Sequence, residues 1–88
     1  MPVFMADRNL PGITMEQLAS AQQAAIRESE KSTQNGIPVR YIRSTFVPGD
    51  ARVMCLFEAG NADAVRAVND TAGIPYERVV EANDLTPA

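Results

Sequence analysis

Val39-Arg40-Tyr41-Ile42-Arg43-Ser44-Thr45-Phe46, then Pro48-Gly49-Asp50, then Arg52-Val53-Met54-Cys55-Leu56-Phe57-Glu58, is the stretch on which the fold turns. Both outer runs are rich in β-branched and aromatic residues, which suit a pleated, half-buried surface. The Pro-Gly-Asp between them is turn chemistry. Two such runs joined by so short a break predict a β-hairpin in the middle of the chain.

Upstream of the hairpin, Thr14-Met15-Glu16-Gln17 has the form of a capping box, with Glu16 at the positive end of the helix dipole. It predicts a helix opened by Thr14 and running to about Gln34, where Asn35-Gly36 and then Pro38 stop it. Before it, Val3-Phe4-Met5-Ala6 reads as a short strand, and Asp7-Arg8-Asn9 leads into a turn at Pro11-Gly12. Downstream, Gly60-Asn61 breaks the strand pattern. Asn61 is a good N-cap, Asp63 lies in the first turn, and the helix ends near Ala72 at Gly73, with Pro75 beyond. Arg78 to Ala82 is the closing strand. The order is βαββαβ. It predicts an α+β, ferredoxin-like fold over residues 1–88 as one domain: an antiparallel four-stranded sheet with both helices on one face.

Such a sheet should alternate apolar and polar residues along its strands, and this one does not. Val53, Cys55 and Phe57 point one way while Met54 and Leu56 point the other; Val3 and Met5 oppose Phe4 and Ala6 in the same manner. Helices on one side leave the second apolar face open, and such a face marks an interaction surface. The expectation is a homodimer through the helix-free sheet face, a dimeric α+β barrel with two-fold symmetry. The competing cover is the C-terminal tail, in which Leu85 is the one large apolar residue.

Composition narrows the function classes. Apolar residues are 45% of the chain and charged residues 22%, with a net charge of −3, which is ordinary globular composition. The eight basic residues are scattered and form no concentrated footprint, so nucleic acid is not an expected partner. No apolar run approaches a membrane span. A single cysteine excludes an internal disulfide, and Met1–Asp7 lacks the basic and apolar regions of a secretory signal, so the cytoplasm is the expected compartment.

Arg8-Asn9-Leu10-Pro11-Gly12, Thr14 and Glu16-Gln17-Leu18-Ala19 resemble the N-terminal half of a family of small bacterial ferredoxin-like proteins, mostly of unassigned function, whose best-known kind binds and responds to nickel. Val53-Met54-Cys55-Leu56-Phe57-Glu58-Ala59 is similar to that family's third strand, and Ala72-Gly73-Ile74-Pro75 with Arg78-Val79-Val80-Glu81 to its end. The resemblance spans nearly the whole chain and implies a homodimer with a barrel-like core. It also implies where a nickel site would stand. Nickel-binding members carry histidines after the first strand and on each helix, and matching the motifs puts Asp7, Gln22 and Asn69 at those positions. Nickel favours imidazole or thiolate, so no tight nickel binding is expected.

The same three residues stand out physically. Leu18, Gln22 and Ala25 share a helix face, as do Val65, Asn69 and Ala72, and Asp7 shares a strand face with Val3 and Met5. Three polar groups on apolar stripes predict a polar pocket between helices and sheet; the alternative is that each bonds locally at the rim of the core. Tyr41 is expected on the face of Val39 and Arg43, with its ring in the core, and Glu58 at the end of its strand is a candidate base or ligand. Cys55 is expected to be buried and inert, because no histidine exists to activate it. Arg8 and Arg43 could bind an anion; the simpler expectation is surface ion pairs with Asp7, Glu58 or Glu81. No Gly-rich phosphate loop or paired-cysteine spacing occurs, so no cofactor is expected. Together these predict a dimeric binding module for a small polar molecule, or for a hard cation held weakly by Asp7 and amide oxygens. A cofactor-free enzyme of monooxygenase or isomerase type is the alternative, on fold analogy alone.

Overall fold

In the computed structural model, which describes residues 1–87, the elements run β1 (Val3–Asn9), α1 (Met15–Gln34), β2 (Val39–Val47), a 3-10 turn (Pro48–Asp50), β3 (Arg52–Ala59), α2 (Ala62–Ala72) and β4 (Arg78–Ala82). The sheet has the order β2-β3-β1-β4 with every neighbouring pair antiparallel. The predicted βαββαβ fold is therefore present. The caps act as the sequence predicts. Thr14 Oγ1 accepts from the Gln17 N–H and Gln17 Oε1 accepts from the Thr14 N–H, both at 3.0 Å. Asn61 Oδ1 accepts from the Ala64 N–H at 2.9 Å, and Gly73, at φ 72°, closes α2 in the left-handed region that glycine tolerates.

Strand β1 is longer than its apolar run. Asp7, Arg8 and Asn9 continue it, opposite Met54, Val53 and Arg52 of β3. Pairing with β3 continues through Asn9, while pairing with β4 ends at Asp7, and these ladder bonds outweigh the turn preference of Asp and Asn.

The pleat then sorts the residues. Phe4 and Ala6 of β1, Val53 and Phe57 of β3, and Val65 and Val68 of α2 pack between sheet and helices, all nearly or fully buried. Burying a side chain the size of Phe57 stabilises by about 1.5–3 kcal/mol. A register shift between Tyr41 and Arg43 interrupts the β2–β3 ladder: Tyr41 opposes Phe57 while Arg43 opposes Leu56, leaving Ile42 as an extra residue. Tyr41 and Arg43 therefore face opposite sides of the sheet, contrary to simple alternation, and Ser44 joins Tyr41 on the helix side. Re-aiming side chains in this way is what a bulge does.

The helix-free face carries Met5, Met54, Leu56 and Val80, all half-buried. The tail partly covers it. From β4 at one edge, Asp84 reaches Arg43 on β2 at the other, Oδ2 to the guanidinium at 2.8 Å, while Leu85 is 88% exposed. The ion-pair partner of Arg43 is thus Asp84, not Asp7, Glu58 or Glu81. Among the described residues no helix is long and apolar enough to cross a membrane.

Asp7 sits at the charged end of this open face. Its carboxylate accepts from Arg52 at 2.9 Å and from Arg78 at 3.2 Å, and Arg52 also reaches Glu77 at 2.5 Å. Partial burial pushes the carboxyl pKa up, but hydrogen bonds and charge from the two guanidinium groups outweigh it and hold the group below the ordinary aspartate range. A pKa depressed in the folded state contributes stability above the unfolded value, lost as pH falls through the folded one. Asp7→Asn should therefore cost about 1–2 kcal/mol in urea unfolding at pH 7. The gap to the parent protein should shrink as pH falls below about 4. A pH-independent gap would mean that the ion pairs contribute nothing.

Candidate functional site

Helix α1 is fixed over β2 at its C-terminal end. Thr33 Oγ1 accepts from the Val39 N–H at 3.0 Å, and Ser32 Oγ donates to the Ile37 carbonyl at 2.7 Å. Toward its N-terminus the helix presents Ala21 and Ala25 to the sheet. Such short side chains cannot fill the space beneath them, and a cavity of about 220 Å³ remains. Its apolar walls include Leu10, Leu18, Phe46 and Ile74. Met15, 68% exposed, and Gln22 stand at its mouth.

One wall is polar, and the bulge at Ile42 builds it. Gln22 Nε2 donates to Tyr41 Oη at 2.8 Å, Tyr41 Oη lies 2.5 Å from Ser44 Oγ, and Ser44 Oγ donates to Cys55 Sγ at 2.9 Å. A serine hydroxyl has one proton. Since Ser44 gives its proton to sulfur, Tyr41 is the donor to Ser44 and the acceptor from Gln22. The Tyr41 ring stands edge-on to Phe57, with centroids 5.5 Å apart and planes at 80°, which aims its hydroxyl. The chain of bonds ends on a buried thiol at 6% exposure. No carboxylate lines the cavity and the protein has no histidine, so nothing there takes the proton onward.

The remaining wall is a buried cation. Arg8 follows Asp7 in the pleat and so points to the helix side, where it is 2% exposed. Its guanidinium donates to Asn69 Oδ1 at 3.0 Å and to the Pro75 carbonyl at 3.3 Å. Asn69 is fully buried, and its Nδ2 donates to the Val65 carbonyl at 2.8 Å, which turns Oδ1 toward Arg8. Among the described residues no carboxylate lies within salt-bridge distance of Arg8.

Of the residues singled out from sequence, the structure brings Gln22 and Tyr41 together in the cavity and places Asn69 behind it, through Arg8. Asp7 is not among them. It lies on the opposite face of the sheet, held by two arginines, so Asp7, Gln22 and Asn69 do not converge on one pocket and cannot share a hard cation. Glu58 is also on the helix-free face; the Arg40 guanidinium, 3.2 Å away, draws its carboxyl below the ordinary glutamate range. Arg8 is not a surface ion pair. An arginine beside polar neighbours reads as exposed, and the signal that it is interior is its place in the alternation, two residues on from Ala6. Ser44 was hidden by the bulge.

Comparison with known proteins adds a family. Residues 4–82 match the family model described as nickel responsive protein SCO4226-like. The crystal structure of SCO4226 from Streptomyces coelicolor A3(2) is similar to this chain, with a TM-score of 0.80 and 26% sequence identity over 96% of this chain and 99% of that one. No curated protein matches the chain.

Asn69→Leu tests the buried pair. It removes an acceptor from an arginine that is only 2% exposed, and should destabilise by about 2–3 kcal/mol in urea unfolding. An unchanged or raised stability would mean that Arg8 does not depend on Asn69.

Proposed function

This chain belongs to the nickel-responsive SCO4226-like family, and from that premise we propose that it is a non-catalytic, cytoplasmic, homodimeric module that binds a small molecule in the cavity beneath α1. The observation that carries this is the cavity itself: apolar walls, a small number of converging polar groups, and an opening at Gln22 and Met15. That is the composition of small-ligand sites. At about 220 Å³ it lies below the ~300–1,000 Å³ of sites for drug-sized ligands, so its ligand is smaller than those. The absence of any carboxylate or imidazole from the lining favours binding over turnover, since Ser44 and Cys55 have no base to activate them.

The residues present do not fit nickel. Imidazole is missing from the sequence, Cys55 is buried and already accepts from Ser44, and among the described residues no three His, Cys, Asp or Glu side chains could hold an ion. Asp7 is committed to Arg52 and Arg78. We therefore read the cavity as one that takes a ligand other than a metal.

The second copy in this proposal seats on the helix-free face. Support comes from Met5, Met54, Leu56 and Val80 on that face, and from a tail that lays Asp84 across it but turns Leu85 outward. Face-to-face packing of two such sheets would bury both patches under one symmetry.

Three measurements check the proposal. A fragment library titrated against labelled protein should shift amide resonances around Tyr41, Ser44 and Ala25, and Ala21→Leu, which fills the cavity, should abolish those shifts at little cost in stability. No fragment binding in the cavity would overturn it. Light scattering at micromolar concentration should give twice the 9.5 kDa chain mass, and Leu56→Glu should lower it; a monomer mass for the parent protein would sink the dimer. Nickel titrated into untagged protein should bind only weakly, and a sub-micromolar dissociation constant would reverse the conclusion about metal.

A further inference from the structure

Arg8 is well anchored but not neutralised. Among the described residues no buried side-chain nitrogen or oxygen is wholly without a hydrogen-bond partner, but none of the partners of Arg8 brings a counter-charge. Both oxygens it meets, Asn69 Oδ1 and the Pro75 carbonyl, are neutral. An arginine stays charged at any physiological pH, and an uncompensated buried charge is costly. Natural structures pair such groups. Here Arg8 lines a cavity that opens to solvent, and the cavity offers space for a partner that the chain itself does not supply.

We propose that the cavity takes a small organic monocarboxylate, its carboxylate on the Arg8 guanidinium and its apolar body against Leu18, Phe46 and Ile74. This rests on the cavity being a ligand site, as argued above, and adds the ligand's charge and class. Two of the five N–H groups of Arg8 donate to protein oxygens, and the others remain for a ligand. The planar fork suits a carboxylate. One buried cation balances one negative charge, whereas a doubly charged phosphate would enter with a charge unmatched by any group in the lining. The apolar walls require a body that is itself apolar. Ser44 and Tyr41, whose protons run toward Cys55, offer lone pairs rather than free donors, so the charge belongs at the Arg8 end of the cavity and not at the Tyr41 end. Asn69 acts as a positioning residue: bound to the Val65 carbonyl, it holds the guanidinium still while the ligand comes and goes.

The test is a titration at pH 7 of monocarboxylates from propionate to benzoate, each beside its neutral amide and with inorganic phosphate as a third arm, followed by the amide resonances of Tyr41 and Ser44. The expected result is that at least one acid binds about tenfold or more tighter than its amide, and that phosphate does not bind. Arg8→Met should erase the preference for acid, bringing the acid's affinity down to that of its amide. Should that variant fail to fold, Asn69→Asp supplies an internal carboxylate 3.0 Å from the guanidinium and should weaken the acids selectively. Equal binding of acids and amides, tighter binding of phosphate, or an acid preference that survives both variants would overturn the assignment while leaving the cavity a ligand site. Failure of every compound, charged and neutral, would overturn both.

Discussion

A buried positive charge is the constraint around which this fold is arranged. Placing a guanidinium between sheet and helices costs several kcal/mol even after relaxation, and the chain commits three separate features to holding it. Asn69 presents Oδ1 because its Nδ2 is bound one turn back on α2. The helix stops at Gly73, whose positive φ turns the chain so that the Pro75 carbonyl comes within 3.3 Å of Arg8. The Ile74 N–H closes on the Asn69 carbonyl and fixes that turn to the residue that contacts Arg8. The C-terminal end of α2 and the loop after it are therefore shaped as much by the interior of β1 as by helix capping.

The neighbouring residue makes the arrangement two-sided. Asp7 and Arg8 carry opposite charges to opposite faces of the central strand, the first toward Arg52 and Arg78, the second toward Asn69. Sliding β1 by one residue against its partners would, in one direction, put Arg8 where Asp7 stands, among arginines, and in the other put Asp7 where Arg8 stands, against an amide oxygen and a carbonyl. Either is repulsive. Because a slip of one reverses every side chain, and because Val3 to Ala6 is apolar in either register, the charged pair discriminates where hydrophobicity does not.

That same apolar symmetry explains which parts of the molecule could be read from sequence. The caps at Thr14 and Asn61, the stops at Asn35-Gly36 and Gly73, and the hairpin were legible because each depends on local chemistry. Gln22 and Asn69 were legible as polar groups on apolar stripes and Tyr41 as a ring in the core, while Asp7, read with the first two, lies on the other face of the sheet. The end of β1 was not, since Asp7-Arg8-Asn9 has loop-like composition and is drawn into the sheet by pairing with β3 throughout and with β4 at Asp7. The direction of Arg8 followed from alternation but ran against the expectation that charge lies outside. The fate of Arg43 and Ser44 was unreadable, because the register shift at Ile42 leaves no compositional mark. The helix-side site was thus partly visible: its amide and phenol could be found, its cation was noticed but expected at the surface, and its serine was missed.

The extra residue at Ile42 also bears on how the molecule behaves in a crowd. β2 is an edge strand, and an unpaired edge invites endless strand addition. An irregular backbone at the middle of that edge, with Arg40 and Arg43 on either side, gives an incoming strand no continuous ladder to extend. The opposite edge, β4, is five residues long and begins and nearly ends on charge, at Arg78 and Glu81. The kink that assembles a hydroxyl wall inside the protein thereby also protects its flank from fibre-like growth.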